Sequence, residues 1–122
     1  MVTPIDPATA ALVERALDAA SLRQQVHASN IASAGTPGHH AQRVNFEDSL
    51  GAVRDELHGG RLAAATVRDS APAEVVAAPQ AEVQLDQEVA AMSHNAMHYQ
   101  ALVRLLNKQL AVFGAALDGG RR

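Results

Sequence analysis

Apolar residues recur most regularly in the last third of this chain. Leu85, Val89, Met92, Ala96, Tyr99, Val103, Leu106, Leu110, Phe113 and Leu117 follow one another at steps of four and three without an error. A seam of period 3.5 held over more than four repeats predicts a long helix of coiled-coil type. Asp86 near its start and Lys108 towards its end suit the helix dipole, and Gly119-Gly120 closes it. A second pattern lies at the other end. Asp6-Pro7 reads as a helix start, with Leu12, Val13, Ala16, Leu17, Ala19, Ala20, Val26 and Ile31 on one broad face. This helix is predicted to run to about Ala34, where Gly35 suits a left-handed cap and Pro37 prevents continuation. Arg23, His27 and Asn30 fall on its apolar side and need partners if they are buried.

Between these helices the pattern weakens. Thr36-Pro37-Gly38 reads as a type II turn. Asn45 is placed to cap a short helix whose Phe46, Leu50, Val53 and Leu57 make one seam, ended by Gly59-Gly60. Over residues 61–82 no period convinces. Thr66-Val67 and Val75-Val76 suggest short strands, the second bracketed by Pro72 and Pro79, so an extended or mobile excursion with a small hairpin is expected. The predicted fold is all-α: long N- and C-terminal helices paired as an antiparallel coiled-coil hairpin, with a short helix and a loop or small β excursion between. Residues 1–38 would form the first helix and its turn, 39–84 the middle segment and 85–122 the second helix, together one discontinuous helical domain.

Composition narrows the function. Ala supplies 26 of the 58 hydrophobic residues among 122, and Phe46, Tyr99 and Phe113 are the only aromatics, so the core should be thin. A hairpin alone covers one side of each seam, which predicts a subunit of an assembly. The net charge of −3 argues against a nucleic-acid partner held by bulk positive charge. Cysteine is absent, which removes disulfides, thiolate nucleophiles and Cys-based metal sites. No stretch reaches the ~20 apolar residues of a membrane span, so no membrane insertion is expected. Pro4, Asp6, Pro7, Glu14 and Arg15 interrupt any signal-peptide core, so a route of export without a cleaved signal is expected if the protein leaves the cytoplasm.

Candidate chemistry is sparse. His94 and His98 stand at i and i+4, a spacing that can share a metal, but the general-base Glu of a zinc-protease helix is missing and both project opposite the seam. A solvated or subunit-contacting face is the simpler reading, and the His39-His40 pair and the Arg121-Arg122 tail read as exposed. No nucleophile elbow or phosphate loop is present, so neither enzymatic activity nor a cofactor is expected. Asn30 has two readings: a helix-end residue bonding its own backbone, or a register-setting polar contact across a helix interface.

Asn30-Ile31-Ala32-Ser33-Ala34-Gly35-Thr36-Pro37-Gly38 resembles the N-terminal signature of flagellar rod and hook proteins. Arg23 to Ser29 before it and Val44-Asn45-Phe46 after it fit as well. Val83 to Glu88, Asn95, Tyr99-Gln100 and Leu106 resemble the C-terminal helix of the proximal rod subunit, the FlgB type. The resemblance implies an axial structural protein of the basal body, exported through the flagellar type III apparatus without a cleaved signal and built into the periplasm-spanning rod. Its partners would be its own copies and other rod proteins, and its role the transmission of torque from motor to hook. Under that reading Leu85, Val89, Met92, Tyr99, Val103, Leu106, Leu110 and Phe113 hold the seam, while Asn30, Ile31, Thr36, Pro37 and Gly38 fix the chain's exit from the first helix. Alternatives from other classes are a cytoplasmic helical-hairpin adaptor and a metal-binding protein using His94 and His98.

Overall fold

The computed structural model describes residues 6–78 and 82–120. Pro79 and the Arg121-Arg122 tail lie outside the described residues. The chain runs α1 (Pro7–Ala32), β1 (Gln42–Asn45), a 3-10 turn (Glu47–Leu50), α2 (Gly51–His58), α3 (Ala64–Asp69), β2 (Glu74–Ala77) and α4 (Leu85–Gly119).

Helix α1 starts as its sequence suggests. Asp6 is extended, Pro7 opens the first turn, and the Asp6 carbonyl accepts from the Ala10 amide at 3.0 Å. Its exit is a pair of consecutive turns. The Thr36 amide donates to the Ser33 carbonyl (3.0 Å) and the His39 amide to the Thr36 carbonyl (3.2 Å). Gly35 and Gly38 take φ of +81° and +77°, the left-handed conformation that an L side chain resists. These turns reverse the chain so that β1 returns beside the end of α1.

The middle segment departs from its sequence pattern in three places. Asn45 closes a strand and caps no helix; Phe46 precedes the 3-10 turn and packs inward instead. Thr66-Val67 lies in α3, a helix and not a strand. The sheet is not a local hairpin, because β2 pairs antiparallel with β1 in the register Gln42–Ala77 to Asn45–Glu74, spanning the intervening α2 and α3. The physical reason is long-range support. Arg15 of α1 donates from Nη2 to the carbonyls of Arg68 and Ser70, closing the C-terminal end of α3. Glu56 of α2 accepts the Thr66 hydroxyl at 2.9 Å near its other end. A six-residue helix has too little intrinsic stability to announce itself by period. Val67, fully buried, is the centre of a small core with Ala11 and Val53, flanked by Leu12, Leu50 and Leu62. The segment with the weakest pattern therefore supplies the most enclosed large apolar side chain.

Helices α1 and α4 run antiparallel. His27 meets Glu88, and Ala20 and Gln24 meet Asn95. At 1.5 Å per residue α1 is about 39 Å long and α4 about 52 Å. Carrying the His27–Glu88 register back along α1 sets Pro7 level with about Lys108, so roughly the last eleven residues of α4 extend past Pro7.

Candidate assembly surface

Two surfaces of α4 have to be told apart. The face towards α1 is marked by Glu88 and Asn95, which meet His27 and the Ala20–Gln24 pair; continued at the same four-and-three spacing, that register aligns Glu88, Met92, Asn95, Tyr99, Leu102 and Leu106 with Val13, Leu17, Ala20, Gln24, His27 and Ile31. The face shares Met92, Tyr99 and Leu106 with the seam read from the sequence, but α4 is turned by about 50°, half of one residue's rotation. Met92, Ala96, Val103 and Leu106 are consequently half-buried, while Leu85, Val89, Tyr99, Leu110 and Phe113 are exposed. The cause is polar: turning α4 brings Glu88 and Asn95 onto partners that α1 offers.

Those partners are specific. Asn95, the one buried residue described in α4, donates both amide hydrogens, to the Ala20 carbonyl at 2.8 Å and to Gln24 Oε1 at 2.9 Å. Glu88 Oε2 lies 2.7 Å from His27 Nδ1, with both side chains largely sheltered. Next to this line a cleft of about 260 Å³ opens between the helices, lined by Ser21, Gln24, Asn95, Tyr99 and Gln100 among others.

The exit of α1 is held by two further pairs. Asn30 is fully buried, and its amide behaves as a strand neighbour: Nδ2 donates to the Gln42 carbonyl at 2.8 Å and Oδ1 accepts the Gln42 amide at 3.0 Å. Neither reading of Asn30 from the sequence described this. It bonds neither its own helix nor a facing helix, but the first residue of β1, within the chain. Ile31 beside it is half-buried, while Thr36, Pro37 and Gly38 sit exposed in the turn. Arg23 Nη2 donates to Glu47 Oε1 at 2.6 Å, linking α1 to the 3-10 turn. Burial alone would raise the Glu47 carboxyl; hydrogen bonds from Arg23 and from the Glu47 and Phe46 backbone, with the Arg23 charge, bring it below its ordinary value. Each of the polar residues flagged on the apolar side of α1 thus has a named partner.

The outer side of α4 carries an apolar stripe that is exposed towards both ends of the helix and half-buried in between at Ala96 and Val103. Val89, Ala96, Val103, Leu110 and Leu117 repeat every seven residues, with Leu85 and Phe113 beside them. Leu85 is 51% exposed, Leu110 57%, Phe113 48% and Leu117 58%, and the last three lie on the extension past Pro7. His94 and His98 are exposed, and among the described residues no group of three His, Cys, Asp or Glu is placed to hold a metal ion. No helix described is long and apolar enough to cross a membrane. Asn95 and Glu88 are the residues that periodicity missed. Their signal was available as polar side chains standing within one residue of an otherwise apolar line.

No protein-family model matches the chain. Two curated proteins do, nearly end to end. The flagellar basal body rod protein FlgB of Salmonella typhimurium is 30% identical, over 88% of this chain and 91% of that protein. The protein of the same name from Bacillus subtilis is 28% identical, over 89% of this chain and 92% of that protein. Given a relative of that identity covered almost whole, the chain belongs to the FlgB family of flagellar basal body rod proteins.

Proposed function

We propose that this protein is a structural subunit of the flagellar rod that carries load by helix packing and performs no chemistry. The observation that carries the reading is the set of large apolar side chains on α4, Leu85 and Val89 near its start and Leu110, Phe113 and Leu117 near its end, that water meets in a single copy. Large exposed apolar patches mark interaction sites, and burying each Leu or Phe of the stripe would contribute about 2 kcal/mol. In this reading α1 and α4 form an antiparallel coiled coil, and the stripe of Leu85, Val89, Leu110, Phe113 and Leu117 lies against helices of neighbouring copies or other rod proteins. Residues 1–38 and 85–122 then make the packed pair, and residues 39–84 face outwards to further contacts. Asn30 with the Thr36-Pro37-Gly38 turn sets the direction in which the chain leaves α1. Export through the flagellar type III apparatus into a periplasm-spanning rod, and transmission of torque to the hook, follow from the same assignment. A thin core suits a chain that must unfold to pass a narrow channel.

The test is Phe113→Asp. Phe113 is half exposed on the part of α4 beyond α1, so the change should alter the monomer's stability by no more than about 0.5 kcal/mol. Secretion of the variant should persist while swimming in soft agar is lost. Normal swimming would contradict the assignment of this stripe.

A further inference from the structure

We infer that Asn95 sets the register in which α4 pairs with α1. The inference rests on the geometry of the pair and is independent of the rod assignment. Apolar contacts along this interface discriminate poorly between registers, because a slide of one heptad replaces one apolar line with another of the same spacing. The polar contacts discriminate well. In the observed register both hydrogens of the Asn95 amide are used, one on the Ala20 carbonyl and one on the Gln24 side chain, in a site where the residue is only 6% exposed.

Sliding α4 by seven residues in one direction sets Asn95 against His27 and Ile31; in the other it meets Val13 and Leu17. A main-chain carbonyl is available in either place, but Ile31 and Leu17 accept no hydrogen bond. In the slide towards Val13 and Leu17 one amide hydrogen is then buried without a partner, an energetic cost large enough to bias the register by roughly tenfold or more, and in the slide towards Ile31 the one side-chain acceptor set against Asn95 is the His27 imidazole, which has to give up Glu88. The same slides put Leu102 or Glu88 opposite Ala20 and Gln24, and neither donates there. The His27–Glu88 pair is broken as well. Exposed elsewhere, the long apolar stripe would let α4 settle on many helices in many offsets. Asn95 restricts the inner face to one.

The chain contains no cysteine, so two can be added without side reactions. Ser21→Cys on α1 and Gln100→Cys on α4, both exposed at the rim of the cleft beside Asn95, take spin labels for pulsed dipolar distance measurement on the full chain. The otherwise native protein should give one narrow distance. Asn95→Leu should keep its helicity by circular dichroism and gain a second, resolved distance, that of molecules in which α4 has slid along α1 by about 10 Å, one heptad of rise. Asn95→Ala, which adds no bulk, should do the same. A single unchanged distance in both variants, or a broad distribution before any change at Asn95, would overturn the inference.

Discussion

The Asn30 clamp allows a quantitative test of how the chain leaves α1. In Asn30→Ala the Gln42 carbonyl and amide both lose their side-chain partners. Each such bond contributes about 1 kcal/mol net. Gln42 is an exposed residue, so water can reach its backbone once the amide is gone and the full cost of an unsatisfied buried group does not apply. The space left by a fully buried side chain adds a fraction more. The sum is about 2–3 kcal/mol, a large share of the ~5–15 kcal/mol that holds a small domain together. Asn30→Asp sharpens the test. It keeps an acceptor for the Gln42 amide but sets a carboxylate against the Gln42 carbonyl, so at neutral pH it should destabilise at least as much as Ala. Burial and that carbonyl raise the new carboxyl's folded-state pKa above its unfolded value. The variant is therefore relatively more stable below the unfolded value and loses that stability as pH rises through the folded one. Urea unfolding measures both changes, and hydrogen exchange at the Gln42 amide reports the clamp directly. An Asn30→Ala change below about 0.5 kcal/mol with unaltered exchange at Gln42 would refute the reasoning, since additions at this scale lie within ordinary surface variation.

Two further outcomes follow from the packing around α1. Val67→Ala should cost about 1.5–3 kcal/mol, the loss of two buried methyl groups plus the cavity between Ala11 and Val53, seen as a lower urea midpoint with unchanged slope. For the Arg23–Glu47 pair the folded carboxyl lies below the ordinary 4.5, so its contribution is present above that value and is lost as pH falls through the lowered one. Glu47 is 63% exposed, which keeps the contribution under about 1 kcal/mol. Arg23→Gln should flatten the acid limb of the stability curve, and an unchanged limb would count against the pair.

Legibility followed range of interaction. The two long helices could be read from sequence because their evidence is local: a proline start at Pro7, glycine stops at Gly35 and Gly119, and periods sustained over many turns. The Thr36-Pro37-Gly38 turn was readable for the same reason, since proline fixes its own φ and glycine accepts the positive φ the turn requires. Helix α3 and strand β1 were not. Val67 is helical because Arg15 and Glu56, distant in sequence, satisfy the ends of its short helix, and Gln42 is extended because Asn30 holds its backbone. The candidate surface divided along the same line. Period 3.5 located an apolar seam on α4, yet the face presented to α1 was decided by hydrogen bonds from Asn95 and Glu88, which hydrophobic spacing does not encode. Polar residues on the apolar side of α1 were the visible hint, and Arg23, His27 and Asn30 each proved to lead to a partner in another element.

Solvent access to the outer stripe before and after assembly tests the central claim most directly. A single cysteine at Leu110 or Leu117, in a chain that has none, can be labelled with a water-soluble maleimide in the purified monomer and in isolated basal bodies. Both positions are more than half exposed in one copy, so rapid labelling of the monomer is expected. In the finished rod the account predicts strong protection at both sites; equal labelling of monomer and rod would contradict it.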